Sequence, residues 1–483
     1  MQLNKDKKSL SEINSYCRNS SLLIGTFNQL LELFDLRYID KLLSDTKKRG
    51  VPGGKVFRTL FVLRFLDFDN IFQLMQSGLS KELMHKKDVL YDFLKNSHIP
   101  WRRILRLFFK QTHALILDRR TEVDSDGPRC FVLDDSLLEK TGKTIELIGK
   151  VFDHCTYTYQ LGMKVLTLGY CDGKSFMPLD FSIHNEPGRN NRRGLKKKEL
   201  ENQFSKEREP GSAGYQRALE ISQDKISTAL QMIKRYKKNW LKVDYVLADS
   251  WFICERFLRG VHAIDEKLEV IGQMKTNRIL NINGKSYKAN QVPELKRKNI
   301  HYSKKLKCSY ISLKISYKGI VMRGYWIKMK GQQNWNLLIS TDDKLSFIKA
   351  MECYKNRWSI EVFFKDCKQN LGLQACQSTD LDAHIATISI VFMNYMVLAL
   401  KKRFEDYETL GILFRDFKDL LLQQTIIQCI WRVLIQFFDS VFATMGMGWN
   451  LFIRTLINKQ EIILQNINQV FAPLYATNWI NVA

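Results

Sequence analysis

Two aspartates and a glutamate, far apart along the chain, carry the strongest chemical signal in the sequence. Asp134 closes the apolar run CFVLD. Asp249 closes VDYVLAD, whose near-continuous hydrophobicity is that of a strand buried on both faces. A carboxylate at the rim of an apolar sheet is costly unless it is paired, hydrogen-bonded or bound to metal. Glu361 keeps different company: Tyr354, Arg357, Lys365 and Lys368. At 100° per residue these polar side chains fall within about 80° of one another on a helix. Ile360, Phe363, Phe364, Cys367 and Leu371 occupy the other side, so the helix buries one face and presents the polar stripe. One carboxylate among cations suits a metal ligand whose neighbours grip phosphates. Plainer alternatives stand beside this. Asp134-Asp135-Ser136 and Asp249-Ser250 are good caps for a helix or turn that follows, and Glu361 could pair with Arg357, Lys365 or Lys368 at helical spacing.

The elements that must position these residues follow from periodicity. Residues 1–120 read as helical, with segments at 21–48, 57–75 and 101–117. The last of these sets Arg102, Arg103, Arg106 and Lys110 beside apolar neighbours. It is either a solvated basic face or a DNA-docking module that uses those bases on phosphates. Strands then take over: CFVLD, and a hairpin of residues 161–170 and 176–183 around the turn CDGKS. The polar stretch 185–214 reads as a mobile loop, either a plain linker or a basic flap that closes on DNA. A helix at 216–238, the strand ending in Asp249, a helix at 251–261 and a strand at 268–274 follow. Residues 277–343 are β-rich, with Ile311, Leu313, Ile315 and Tyr317 alternating with polar residues. Helix dominates from 345 onward. The order predicts an α/β fold with a mixed sheet whose strand ends gather functional side chains.

Composition narrows the partners. The 75 Lys and Arg against 50 Asp and Glu leave a formal charge of +25, and a polyanion is the simplest reason to carry it. The ten cysteines form no CxxC pair and have no zinc-finger spacing to His. They predict neither a disulfide framework nor a structural zinc site, and Cys130, Cys254 and Cys367 read as small core residues. The N-terminal residues lack a signal-peptide core. The apolar segment 385–400 is short of the roughly 20 residues a span requires, and 425–453 is interrupted by Arg432 and Asp439. A soluble, cytoplasmic protein without a membrane partner is expected.

The spacing Y-x2-R-x3-E-x6-K of Tyr354, Arg357, Glu361 and Lys368 resembles the YREK signature of the bacterial insertion-sequence DDE transposases of family four. FVLDDSLLEKTGK, VLADSWF and YKNRWSIEVFFKDCK resemble the family's blocks around its two Asp and its Glu, and the likeness spans about residues 50–400. It implies a ribonuclease-H-like catalytic domain in two parts, residues 121–276 and 344–400, split by a β-rich insertion at 277–343. Before it stands a helical DNA-binding region, 1–120, and after it a helical region, 401–483, that could form a homodimer. Asp134, Asp249 and Glu361 become the catalytic, metal-holding triad, with Asp135 a possible substitute for Asp134. Two Mg²⁺ or Mn²⁺ ions suit such hard oxygens. Tyr354, Arg357 and Lys368 would hold phosphates, and Lys365 lies on the same face. Trp358 would stack on a displaced base, or else pack in the core beside Val362. The implied partners are double-stranded DNA, as terminal inverted repeats and as target, and the implied site of action is the bacterial nucleoid. Two rival functions fit the same residues: a domesticated DNA-binding protein without catalysis, and a host nuclease on the same fold.

Overall fold

A computed structural model describes residues 34–418 apart from 67, 78–79, 81–85, 119–126, 154–155, 186–193, 239, 405–407 and 417. The expected dimerisation region beyond 418 and the first part of the expected helix at 21–48 lie outside the described residues. Helices fill the N-terminal part: α1 (Arg37–Thr46), α2 (Gly53–Val62), α3 (Ile71–Gln76), α4 (Lys87–Leu94) and α5 (Trp101–Asp118). The single helix predicted over 57–75 is two. The chain turns between α2 and α3, where the Asn70 side chain caps α3 by accepting from the Gln73 amide. Phe57, Phe61, Phe93, Trp101 and Phe108 are buried among these helices.

Next come β1 (Cys130–Glu139), β2 (Gly149–Asp153), β3 (Thr158–Cys171) and β4 (Phe176–His184). The predicted hairpin is β3–β4. Its turn is fixed by the Asp172 carboxylate, which accepts from the Lys174 and Ser175 amides at 3.1 and 2.9 Å, and by Gly173 at φ +90°. After α6 (Lys197–Glu201) the helix predicted over 216–238 is again two, α7 (Ala213–Ile221) and α8 (Lys225–Tyr236). The Asp224 side chain accepts from the Ser227 amide and starts α8 afresh. β5 (Tyr245–Ala248), α9 (Glu255–Ile264) and β6 (Glu269–Met274) follow.

Residues 277–343 form β7 (Ile279–Ile282), β8 (Lys285–Lys288), β9 (His301–Ser303), β10 (Cys308–Tyr317), β11 (Ile320–Met329) and β12 (Asn336–Ser340), with the short α10 (Val292–Leu295) among them. These strands do not stand apart. β12 pairs antiparallel with β6, so the order β2-β3-β1-β5-β6-β12-β11-β10-β7-β8 is one sheet, with β4 on β3 and β9 on β10. Within it β1, β5 and β6 run parallel, while β3 is antiparallel to β1. α11 (Phe347–Lys355), α12 (Trp358–Gln369) and α13 (Leu381–Phe404) close the described chain. α13 contains the segment tested above as a membrane span. It is long and apolar enough to cross a bilayer, yet 94% of its apolar window is buried against the rest of the protein. It is a core helix.

The polar stretch expected to be a mobile loop is tied down where it is described. Arg208, with only 4% of its side chain exposed, is paired with Glu146 at 2.6 Å and Asp382 at 3.1 Å, and Lys206 with Asp382 at 2.8 Å. Composition misled because these charges find buried partners instead of water. Arg102 is a second such case. It points inward, pairing with Asp180 at 2.9 Å and Glu220 at 2.7 Å, and Asp180 also holds Arg235 at 2.9 Å. That guanidinium is committed to the core and cannot serve a docking face, whereas Arg103 and Arg106 are exposed.

Candidate active site

The two aspartates are brought side by side by strand register. β1 and β5 are parallel with Leu133 opposite Ala248, so Asp134 and Asp249 are the next residues on adjacent strands. Asp134 does not end its strand, contrary to expectation. β1 runs on to Glu139 because β3 stays paired with it to Gly162, while β5 stops at Ala248. Asp134 therefore faces the gap beyond the end of β5. Neither aspartate caps a helix: Asp134 lies within a strand, and α9 begins after Cys254. The helix-cap alternative fails for both, while Asp249 does open the turn at 250–252, whose Phe252 amide donates to its backbone carbonyl.

Alternation along β1 separates Asp134 from Asp135. Asp135 points to the other face, where Lys225 pairs with it at 2.9 Å and Lys164 approaches to 3.9 Å. Lys225 also lies 5.3 Å from the centre of the half-exposed Trp251 ring. Sequence reading missed this second cluster. Its available signal was Lys164, a lone cation in the apolar run LGMKVLTLGY.

Glu361, on α12, is joined to Asp134 through Arg357. The continuous helix expected through Tyr354 and Lys368 is two helices joined by a tightened turn, in which Arg357 bonds back to Tyr354 O and Ile360 to Arg357 O. Ile360, Phe363, Phe364 and Cys367 are buried as predicted. Arg357 then spans the site. One of its guanidinium nitrogens donates to Asp134 Oδ2 at 3.0 Å and the other to Glu361 Oε1. Burial pushes the Asp134 carboxyl up to about 7 against the pull of Arg357, and Asp135 and Asp249 add to the rise. The Tyr354 hydroxyl is pushed up to about 12, chiefly by burial.

Among the described residues, no three acidic, His or Cys side chains are close enough to hold one metal ion as they stand. The physical reason is visible: the Arg357 guanidinium occupies the space between Asp134 and Glu361. Hard carboxylate oxygens such as those of Asp134 and Glu361, with Asp249 next to Asp134 on the adjacent strand, suit a divalent ion in donor chemistry, but Arg357 now bridges the first two. Arg357 is thus engaged with the acids and not presented to solvent as a free phosphate grip. Trp358 is 62% exposed and Val362 is exposed beside it, so the core-packing alternative for Trp358 is ruled out. Lys365 is exposed and Lys368 half-buried.

Behind the second cluster, His184 is buried with its Nε2 2.7 Å from Ser182 Oγ. Burial, with Lys225 nearby, pushes its pKa down to about 4. The folded protein keeps this ring neutral where the unfolded chain would protonate it. The stability it contributes is complete above about pH 6.5 and is lost as pH falls towards 4. In urea titrations, His184→Gln is expected to remove about 1–3 kcal/mol of the stability difference between pH 7 and pH 4.5. An unchanged difference would refute the assignment.

Two family models match the chain. Residues 222–397 match the transposase DDE domain, and residues 77–308 match the DDE superfamily endonucleases. The first stretch contains Asp249 and Glu361, the second Asp134 and Asp249. No curated protein matches. Among solved structures, the chain is similar to one of a piggyBac transposase synaptic complex with hairpin DNA, at 12% identity and a TM-score of 0.44, over 81% of this chain and 79% of that one. That likeness is too distant to bear on the site. The two family matches support a DDE-type transposase.

Proposed function

We propose that this chain is a transposase that cuts and joins DNA at the ends of an insertion sequence. The observation that carries the proposal is that Arg357 bridges Asp134 and Glu361, while strand register sets Asp249 beside Asp134. The arrangement of β3, β1, β5 and β6 supports a ribonuclease-H-like core over 121–276 and 344–400, although α13 runs through residue 400 and the strands of 277–343 share the core's sheet.

Asp134, Asp249 and Glu361 would hold two Mg²⁺ or Mn²⁺ ions, whose chemistry is to activate a nucleophile and stabilise the leaving oxygen of an in-line phosphoryl displacement. The protein's own residues do the rest. Asp134 must be deprotonated to serve, so the bound ions would have to offset the burial that favours its neutral form. Arg357, displaced from the acids, would grip a phosphate bidentately beside the scissile bond. Lys368, Tyr354 and Lys365 would hold the flanking strand, and Trp358 would stack on a displaced base. Hydrolysis breaks a P–O3′ bond and leaves a 3′-hydroxyl and a 5′-phosphate. That hydroxyl then attacks phosphorus on the opposite strand, closing a hairpin, or on target DNA. Each attack forms one P–O bond and releases one 3′-oxygen. Paired ends call for a homodimer, acting in the bacterial nucleoid.

The test is incubation of the full chain with the element's terminal inverted repeats, a target duplex and Mg²⁺. Cleavage followed by joining is expected. Hydrolysis without joining would place the protein among nucleases, and binding without cutting would make it a regulator. Trp358→Ala is expected to leave stability within about 0.5 kcal/mol, because the ring is exposed. It should slow processing of the ends by about tenfold or more, the scale of one lost stacking contact. A variant with wild-type cutting would remove Trp358 from the site.

A further inference from the structure

A cavity of about 360 Å³ lies between α5, α7, α8 and the start of α13, and none of the three candidate catalytic acids lines it. Its size is at the small end of ligand pockets, roughly 300–1,000 Å³. Trp101, Arg217 and Tyr236 line it, and they are 3%, 5% and 1% exposed. Trp101 Nε1, Arg217 Nη2 and Tyr236 Oη are buried, and none has a hydrogen-bond partner among the described residues. Buried polar groups are ordinarily paired, so three unpaired ones on residues of one cavity's lining mark an incomplete arrangement. Two of them can only donate, which calls for an acceptor-rich occupant.

The charges agree. Arg102, Arg217 and Arg235 share two buried carboxylates, Asp180 and Glu220, so one guanidinium charge is left over. Burial and the adjacent Arg102 push Arg217 down to about 10. The acid on the wall, Asp382, is already engaged by Lys206 and Arg208. Arg103 and Arg106, both exposed, add positive charge to the lining. Ile99, Pro100 and Ile385 supply an apolar side. A surplus buried cation is costly until an anion completes it, and guanidinium forks match tetrahedral oxyanions well.

We propose that this cavity binds a phosphate ester of mononucleotide size, with its phosphate on Arg217, Tyr236 and Trp101 and its body against Ile99, Pro100 and Ile385. The phosphate can come from a free nucleotide or from the 5′-terminal nucleotide of a DNA strand. The inference does not depend on the catalytic reading above.

Thermal unfolding of the full chain at fixed ionic strength tests it, with inorganic phosphate, deoxyadenosine monophosphate and a 5′-phosphorylated trinucleotide as probes and chloride as the control. A saturable rise in Tm of a few degrees is expected with the mononucleotide, the trinucleotide or both. A response to the mononucleotide alone identifies the free source, and a response to the trinucleotide alone identifies the strand end. Arg217→Gln should abolish the response. Should that variant not fold, Arg103→Gln combined with Arg106→Gln decides the matter, since both side chains are exposed. It is expected to bind about tenfold more weakly, or worse. The proposal is overturned if no probe exceeds chloride, or if the double variant responds as the wild type does.

Discussion

Replacing Glu361 by Gln, or Asp249 by Ala, is expected to slow cleavage of the terminal repeat in Mg²⁺ by about 10³-fold or more while DNA affinity stays within about threefold. A thousandfold loss is about 4 kcal/mol of transition-state stabilisation. That is what one ligand of a cooperating metal site supplies when its loss disables the others. Because the residues act as a unit, the double variant should be scarcely slower than either single one. Glu361→Gln preserves size and removes only the charge that Arg357 now neutralises. Loss of activity in that variant therefore speaks to the carboxylate and not to packing. Retention of more than about a tenth of the wild-type rate would end the case for Glu361.

The largest effect on stability is expected at Asp180, on β4, two strands over from the residue before Asp134. Its carboxylate is fully buried and meets Arg102 and Arg235 at 2.9 Å and Arg217 at 3.7 Å, while accepting from the Phe181 amide at 2.8 Å. Burial opposes its charge, but the three arginines together hold its pKa below the usual range. Asp180→Ala leaves those guanidinium groups short of a counter-charge in the interior, which costs about 3–5 kcal/mol. Asp180→Asn keeps the shape and the amide contact and should cost nearly as much, because charge is the decisive term. Urea titration monitored by tryptophan fluorescence measures both. A loss below about 1 kcal/mol would show that the arginines relax to solvent instead.

The acids were legible because each is announced locally. An apolar run ending in Asp needs no knowledge of the partner strand, and the spacing from Tyr354 to Lys368 is a pattern in one segment. What the residues did not disclose depends on distant partners. CFVLD looks complete at Asp134, but β3 extends the strand to Glu139. Arg102 sits in a run of basic residues and reads as surface, yet Asp180 and Glu220 draw it inward. Residues 216–238 carry an unbroken helical period, and only the capping of α8 by Asp224 divides it. The bridge from Arg357 to Asp134 spans 223 positions. Spacing within one helix foretold its contact with Glu361, though not the strand it also reaches.

The pairing of β12 with β6 has a practical corollary for anyone trimming this protein. Residues 277–343 look like a cassette that could be excised to leave a minimal nuclease. Excision would instead strip β6 of its neighbour along Ile271–Met274 and bare a row of amides and carbonyls only one strand from Asp249. Such a raw margin recruits other chains, so the truncated protein should precipitate rather than become smaller and simpler.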